Sequence, residues 1–509
     1  MSSSYFDVVV LGLDPAPLAC GALLAKRGFR VLLLGQGQQT PDYHIGNFRL
    51  PRRIMHTVSA KSPVVHRLVS ELGISQSFRR LSTSHEEAFQ VAMPRHRFDI
   101  THDRERLSRE LKREFPEVKR PIEDYHVQVE RLSASLDEML RPDVVWPPTT
   151  FLERRALARA HARSGLPRRG EEDDVLAEFP EDHAFRMVTQ APSFFSSGAP
   201  RPSSQALGSV RLYDNMFSRQ SWLEGGLGAW TSMLIDRIRA HAGQVRLADR
   251  ASAINVRRGK VHGVRLFGAD EEVAADFVVV GVDVNAMLSL VPERSAFEET
   301  FERFGEPQLR HYRYLLNAVV SRHGTPAGMG RSVFFLDEVG LDGAAEHALY
   351  IERRDADEDH YVISAEALLP AQQVEGQAGD LEGARDRVLK SLTAVVPFIE
   401  QNAIVVDSPH DGLAPVLARD MHMRPEALGQ RGRRTLPATY SFPGERALGL
   451  CALPIRGPIR NLLLCNSQVV PALGAEGELV AAASAARVVT SADRARDWKR
   501  RGRWNKLDI

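Results

Sequence analysis

Cysteine is scarce in this sequence, with only Cys20, Cys451 and Cys465 among 509 residues. Each lies in an apolar stretch, and the three show no pairing pattern. A disulfide-stapled domain is therefore excluded, because such domains carry dense, regularly spaced cysteines. We expect three buried free thiols, which are typical of proteins in a reducing compartment.

An excess of charge of one sign is also missing. The chain has 66 basic and 65 acidic residues, and its net charge of +1 gives no reason to expect a nucleic-acid partner. No apolar run approaches the roughly 20 residues that span a bilayer. Asp7 interrupts the first apolar run, where a signal peptide would be continuous. We expect a cytoplasmic protein without a transmembrane segment.

Common catalytic motifs are absent as well. His85 is followed by two glutamates but by no second histidine at metal-binding spacing, and the 17 histidines include no close pair typical of a zinc site. The G-x-S-x-G turn of serine hydrolases does not occur. The sequence therefore predicts no metal site, and it leaves any catalytic residue unknown.

The N-terminal residues carry a clear pattern of secondary structure. Residues 8–11 form an apolar, β-branched run that ends at Gly12, which indicates a buried strand. Residues 17–27 begin with proline and are followed by Gly28, so they are expected to form a helix. Residues 30–34 form a second buried strand. Strand, turn, helix and strand make a βαβ unit, with which a dinucleotide-binding domain begins.

The turn of this unit departs from the G-x-G-x-x-G pattern that binds a diphosphate. Only Gly12 remains of the three glycines, and Asp14 places a negative charge where the phosphates would lie. Pro15 and Pro17 remove two backbone N–H donors from the start of the helix. At the end of the second strand Gln36 stands near the place of a ribose-binding carboxylate, and it could bond a ribose without charge.

Two later regions continue the pattern. Residues 224–281 begin with Gly225 and Gly226, form a helix, and then several short strands separated by turns. Residues 461–489 contain a buried strand, a segment with Ser467, Pro471, Gly474 and Gly477, and a small-residue helix. Between them, residues 310–366 alternate strand-like segments with turns, and residues 179–202 are expected to be rich in loops.

Residues 7–37, 224–281 and 461–489 together resemble the FAD-dependent amine oxidase superfamily, and most closely its phytoene (carotenoid) desaturase-like branch. The resemblance implies an α/β fold, with a Rossmann-like FAD-binding domain of the GR2 type that is split in sequence and an inserted α+β substrate-type domain. It divides the chain into FAD-domain-like parts and substrate-domain-like parts. The FAD-like parts are 1–95, 206–290 and 436–490; the substrate-like parts are 96–205 and 291–435; a basic tail follows at 491–509.

The same resemblance shows what this sequence has lost. In the family the last strand ends in an acid that helps to hold the pyrophosphate, and residues 465–468 here contain none. Pro471, Gly474, Glu476 and Gly477 match the segment that passes the flavin ring. Arg52 and Arg53 lie where the family's loop approaches the flavin phosphates, but a role at the surface is favoured, because arginine is mostly exposed in proteins. The cofactor-binding candidates, degenerate if they bind at all, are Gly12, Asp14, Pro17, Gln36, Arg53, Gly225, Gly226, Ser467, Pro471, Gly474 and Gly477.

Two hypotheses of function follow from these departures. The first is a non-catalytic protein with the flavoprotein fold, a pseudoenzyme that has lost FAD and acts as a binding or scaffold protein. Its candidate partner surfaces are the basic segment 154–169 and the C-terminal tail, each of which could also be a solvated face. A peripheral membrane contact is the further alternative. The second hypothesis is an FAD-dependent oxidoreductase of the desaturase or amine oxidase type, acting on an apolar substrate.

Overall fold

A computed structural model gives the architecture of the chain. It describes residues 5–54, 59–83, 87–141, 144–167, 176–180, 183–196, 207–218, 221–268, 271–337, 344–375, 381–418, 435–442 and 447–504. The strands are β1 (Tyr5–Leu11), β2 (Val31–Leu34), β3 (Asp42–Ile45), β4 (Phe48–Pro51), β5 (Ser82–Thr83), β6 (Glu87–Ala92), β7 (Arg97–Thr101), β8 (Trp222–Leu223), β9 (Gln244–Arg246), β10 (Ala251–Arg257), β11 (Lys260–Leu266), β12 (Glu272–Val280), β13 (Gln308–Ser321), β14 (Ser332–Leu336), β15 (Ala348–Asp355), β16 (His360–Pro370), β17 (Ala403–Asp407), β18 (Val416–Leu417), β19 (Ala438–Ser441) and β20 (Leu462–Leu464). The α-helices are α1 (Pro15–Lys26), α2 (Pro63–Glu71), α3 (Ser75–Leu81), α4 (Arg104–Glu114), α5 (Lys119–Leu140), α6 (Phe151–Ser164), α7 (Ala184–Ser196), α8 (Leu207–Phe217), α9 (Gly226–Ala240), α10 (Val284–Leu290), α11 (Glu298–Phe304), α12 (Ala371–Glu375), α13 (Leu381–Thr393), α14 (Ile399–Asn402) and α15 (Gly474–Trp504).

The first sheet is assembled from three separated parts of the chain. Its order is β10-β11-β12-β1-β2-β9, and β20 pairs in parallel with the end of β12. Strand β1 pairs in parallel with β12 and with β2, so that Val8 lies opposite Phe277 and Val31. All four residues of β2 are buried, as expected for a parallel strand covered on both faces. The carboxyl ends of β1, β2, β12 and β20 consequently meet at one edge.

Helix α1 lies in the middle of the first sheet's core. Every residue from Pro15 to Ala25 is buried, because the helix packs between β1 and the two helices α9 and α15. Pro15 and Pro17 sit at its first and third positions, where a helix tolerates proline. The three cysteines are buried free thiols, so the expectation for them is confirmed.

The second sheet has nine strands and holds most of the remaining core. Its order is β18-β17-β13-β16-β15-β14-β6-β7, with β19 beside β13. Strand β13 pairs antiparallel with β16 over eleven residues, from His311 opposite Pro370 to Ser321 opposite His360. Helices α4, α5, α7 and α8 cover it on the side of Phe89 and Phe334. The α/β class predicted from the sequence, with a split sheet and an inserted domain, is confirmed.

Two details differ from the sequence-based expectations. The boundary placed at residue 95 falls beyond β6, which pairs in parallel with β14 and therefore belongs to the second sheet. Residues 179–202 were expected to be rich in loops, but α7 occupies Ala184–Ser196 and is buried on most sides. The run of serine, glycine and proline that suggested a loop begins only at the end of this helix, and residues 197–202 lie outside the described chain. Within the described residues, no helix is long and apolar enough to cross a membrane.

Candidate functional site

A cavity of about 530 Å³ opens at the carboxyl edge of the first sheet. Its walls come from the turn after β1, the segment after β2, the second sheet and the segment that follows β20. Open α/β sheets bind their ligands at this edge, because the loops there converge and helix N-termini point toward it. The cavity is therefore the candidate functional site.

The turn after β1 and the first residues of α1, together residues 12–17, are closed by contacts within the protein. Gly12 has φ of +111°, which permits the sharp turn. Asp14 is the N-cap of α1, and its Oδ1 lies 2.6 Å from the guanidinium of Arg53. The side chain of Gln38 bridges the turn: its Oε1 accepts from the backbone N–H of Leu13, and its Nε2 donates to Asp14 Oδ2 at 3.0 Å. Arg53 thus lies in the cavity, paired with the acid that replaces a glycine.

Glu478 supplies a second carboxylate at the same place. Its Oε2 accepts from the backbone N–H of Ala16 at 3.3 Å, so a side chain of α15 caps the start of α1. Burial raises the pKa of Glu478 to about 7, the charge of Asp14 adds to this effect, and Arg53 opposes it. Since prolines occupy positions 15 and 17, the amides of Leu13, Asp14 and Ala16 would be the donors for an anion, and those of Leu13 and Ala16 are taken. We call Asp14, Gln38, Arg53 and Glu478 the carboxylate cluster.

The end of β2 is closed in a similar way. The amide of Gln36 donates to the carbonyl of Ala251 and accepts from its N–H, both at 2.9 Å. These bonds hold the side chain of Gln36 beside Ala251, and a further bond from Gln36 to a ribose stays a prediction. A side chain on Gly35 is also impossible, since its Cβ would overlap the carbonyl oxygen of Leu247. A carboxylate cannot be restored at that position without moving the backbone.

The segment after β20 forms the floor of the cavity. Asn466 donates to the carbonyl of Val282 at 2.7 Å, and Gln468 accepts from the N–H of Val284 at 2.8 Å. These two amides join the ends of β20 and β12 where the family has an acid. Three predicted residues, Ser467, Pro471 and Gly474, line the cavity.

Several predicted residues lie near the cavity without lining it. Pro17 packs against Gly281 at the end of β12, and Gly477 approaches the carbonyl of Val470 too closely for any side chain. Gly225 and Gly226 open α9 beside Arg49 and Arg354 instead. The structure therefore brings together Asp14, Gln36, Arg53, Ser467, Pro471 and Gly474 at the cavity, and places the other predicted residues behind its walls.

The opposite wall carries polar groups that the sequence did not suggest. Arg313 donates to Glu366 at 2.5 Å across adjacent strands of the second sheet. Burial lowers the pKa of His410 to about 4, so its imidazole is neutral near pH 7. These residues lie between positions 313 and 410 of the chain, and no local motif marks them. Among the described residues no group of histidine, cysteine and carboxylate side chains could hold a metal ion.

Binding of FAD through its diphosphate would place the phosphates next to the carboxylate cluster. A diphosphate at the start of α1 would lie beside Asp14 and Glu478 and would find the amides of Leu13 and Ala16 already bonded. A charged carboxylate at about 4 Å from a diphosphate would cost about 4 kcal/mol at an effective dielectric constant near 20. Arg53 offsets part of this cost at Asp14, and Glu478 is half protonated near pH 7. A single charged hydrogen bond returns about 1.5–3 kcal/mol. A diphosphate at this turn would therefore meet two bonded amides and two carboxylates, with Arg53 as the neighbouring cation.

Comparisons with known proteins show which family and fold the chain is similar to. A family model described as flavin containing amine oxidoreductase matches residues 53–379. The match begins after the turn at residues 12–17, so it does not concern the turn itself. A search of curated proteins finds no match.

Solved structures with the same fold cover nearly the whole chain. An oxidoreductase from Methanosarcina mazei is 15% identical, over 94% of this chain and 98% of that one, with a TM-score of 0.58. A putrescine oxidase bound to putrescine is 14% identical over 96% and 99% of the two chains, with a TM-score of 0.56. A Pyrococcus furiosus protein is 14% identical over 95% and 97%, also with a TM-score of 0.56. At these identities the likeness concerns the fold.

Proposed function

Because this chain belongs to the family of flavin-containing amine oxidoreductases, we propose that it is a non-catalytic member, a pseudoenzyme that binds a partner or ligand without FAD. The observation that carries this proposal is the carboxylate cluster at the start of α1. Glu478 and Gln38 there take the backbone donors of Ala16 and Leu13, and Asp14 is paired with Arg53. The protein's own side chains thus stand where a diphosphate would be bound.

The expected loss of FAD affinity is large enough to support the proposal. Each lost charged or backbone hydrogen bond weakens a ligand by about 1.5–3 kcal/mol, and 1.4 kcal/mol is about tenfold in affinity. The turn, the ribose position at Gly35 and Gln36, and the segment 465–468 each lack a contact. Three such losses on one ligand would lower its affinity by several powers of ten. The cavity that remains is large enough for a smaller polar ligand.

A second candidate is an FAD-dependent oxidoreductase of the desaturase or amine oxidase type, acting on an apolar substrate. The family match and the oxidoreductases among the solved structures favour this candidate more directly than the first. The cavity at the carboxyl edge of the sheet is also retained. In this case FAD would be held by contacts away from the turn. A position in the phytoene desaturase-like branch belongs to this second candidate.

Purification from riboflavin-rich cells separates the two candidates. We expect a colourless protein that releases no FAD on denaturation and whose melting temperature is unchanged by added FAD. The variant D14G/P17G/E478Q removes both carboxylates and opens the turn, so it should gain at least tenfold in FAD affinity, measured by quenching of flavin fluorescence. A yellow wild-type protein with FAD bound in equal amount would overturn the first candidate and establish the cofactor of the second.

A matched control keeps this comparison specific. The variant P326G/E358Q/D359G carries the same kinds of substitution at exposed positions of the second sheet's loops. It should leave FAD binding at the level of the wild type. If both triple variants changed FAD affinity equally, the effect could not be assigned to the turn.

The partner surfaces and the location form part of the same proposal. The basic segment 154–169 and the C-terminal tail remain the candidate surfaces, and residues 168–169 and 505–509 lie outside the described chain. Three free buried thiols fit a reducing compartment such as the cytoplasm.

A further inference from the structure

The N-terminal tip of α6 exposes two large apolar side chains next to each other. Phe151 is 68% exposed and Leu152 is 75% exposed, the two highest values among the exposed large hydrophobic residues of the described chain. Thr150 and Glu153 form a capping box that fixes the start of the helix. The tip is therefore held in place while its apolar residues face solvent. Adjacent exposed apolar residues of this kind mark an interaction surface.

A basic face continues from this tip along the helix. Arg155, Arg159 and Arg163 are all exposed and follow one another at intervals of four residues, so they lie on one side of α6. The helix's acidic residue, Glu153, bonds to Arg456 on the inner side. Ala160 on the opposite side is buried against the core. The exposed side of α6 thus combines an apolar tip with three cations and no acid.

We propose that this side of α6 binds the surface of an anionic membrane, with Phe151 and Leu152 inserted among the lipids. An apolar tip beside arginines matches the two layers of a lipid interface, since the acyl region takes the apolar residues and the anionic headgroups take the cations. The long arginine side chains can reach the headgroups while the tip is inserted. Two inserted residues give weak, reversible binding to the membrane surface.

Sedimentation with lipid vesicles tests this proposal on the full chain. We expect the protein to sediment with vesicles of phosphatidylcholine containing 30% phosphatidylserine, and at least fivefold less with phosphatidylcholine alone. Raising the salt to about 0.5 M should reduce binding to the anionic vesicles severalfold, because screening shortens the range of the arginine charges. The variants F151S/L152S and R155Q/R159Q should each lose at least fivefold in binding.

Two matched variants serve as controls. F267S replaces another exposed phenylalanine, 59% exposed, and R257Q/R258Q replaces two exposed arginines on a different hairpin. Both should bind vesicles like the wild type, and all variants should melt at the wild-type temperature. Absent binding to anionic vesicles, or binding that the α6 variants leave intact, would overturn the proposal. So would a dimer in sedimentation velocity that F151S/L152S abolishes, because the surface would then belong to a second copy of the chain.

Discussion

Glu478 is the residue on which the charge of the cavity depends. It lies 462 positions from Ala16 in sequence and bonds to that residue's amide. Burial raises its pKa to about 7, and Asp14 adds to the shift, while Arg53 and Arg313 act in the opposite direction. Near neutral pH the cluster therefore exchanges a proton, and the cavity changes by one charge.

This pKa gives a prediction for stability against pH. The folded state holds the proton of Glu478 up to about pH 7, whereas the unfolded chain releases it near 4.5. The stabilising effect is fully present below pH 4.5 and is lost as the pH rises through 7, by at most about 3 kcal/mol. E478Q removes this titration, so it should gain stability over the wild type between pH 5 and pH 8 in urea unfolding. If the free energy of unfolding depended on pH in the same way for E478Q and the wild type, the raised pKa of Glu478 would be wrong.

The residues of the site were predictable only in part. Asp14 and Pro17 could be recognised because they interrupt a local motif whose spacing is known. Gln38 and Glu478 could not, because their partners Leu13 and Ala16 are brought close by the packing of α1 against α15 and by the loop after β2. The sequence shows that a glycine of the motif is missing. It does not show which distant side chain bonds to the backbone of the turn.

At the scale of elements, a buried ion pair joins the helical insertion to the first sheet's last helix. Arg211 of α8 is fully buried and donates to both oxygens of Glu476 on α15, at 2.8 and 2.7 Å. It also lies 2.6 Å from Asp137 of α5. Burial would raise the pKa of Glu476, but Arg211 holds it below its ordinary value. The resemblance matched Glu476 to the segment whose backbone passes the flavin ring, and in this structure the side chain of Glu476 bonds within this network.

Removing one partner of this pair should be costly. R211M leaves the carboxylate of Glu476 buried without its cation, so we expect the free energy of unfolding to fall by about 3–5 kcal/mol. R211M/E476L replaces both charges by apolar groups and should lose less than the sum of the two single variants, measured by urea unfolding. R30M breaks the exposed pair of Arg30 with Asp7 and should change stability by no more than about 1 kcal/mol. If R211M/E476L lost as much stability as R211M and E476L together, Arg211 and Glu476 would not be energetically coupled.

The order of elements was largely predictable, because apolar periodicity and glycine or proline stops are local signals. Helix α7 was missed because Pro192 lies inside it and a run of serine and glycine follows. Proline inside a helix is unfavourable in isolation, yet burial of Phe185, Val188 and Phe195 outweighs this preference. The formation of α7 therefore depends on tertiary packing, which a single sequence does not show.

At the scale of the whole molecule, the first sheet depends on three distant parts of the chain. Strand β20 completes the edge of β12, with Val279 opposite Leu463, and α15 packs along α1. Part of the apolar core of this sheet is therefore supplied by the last segment, including the buried residues Leu479 and Val489. The last segment and the rest of the first sheet therefore bury apolar surface against each other.

This interdependence predicts fragment complementation. Residues 1–444 and 445–509, divided after β19, should each fail to show a cooperative thermal transition when expressed alone, because β12 then loses β20 and α1 loses α15. Expressed together, they should copurify as a one-to-one complex and melt cooperatively. The fragment 445–509 with E476A should bind at least tenfold more weakly, since Arg211 would remain buried and unpaired. A fragment 1–444 that melts cooperatively as a monomer would show that the last segment is an addition to a sheet already complete.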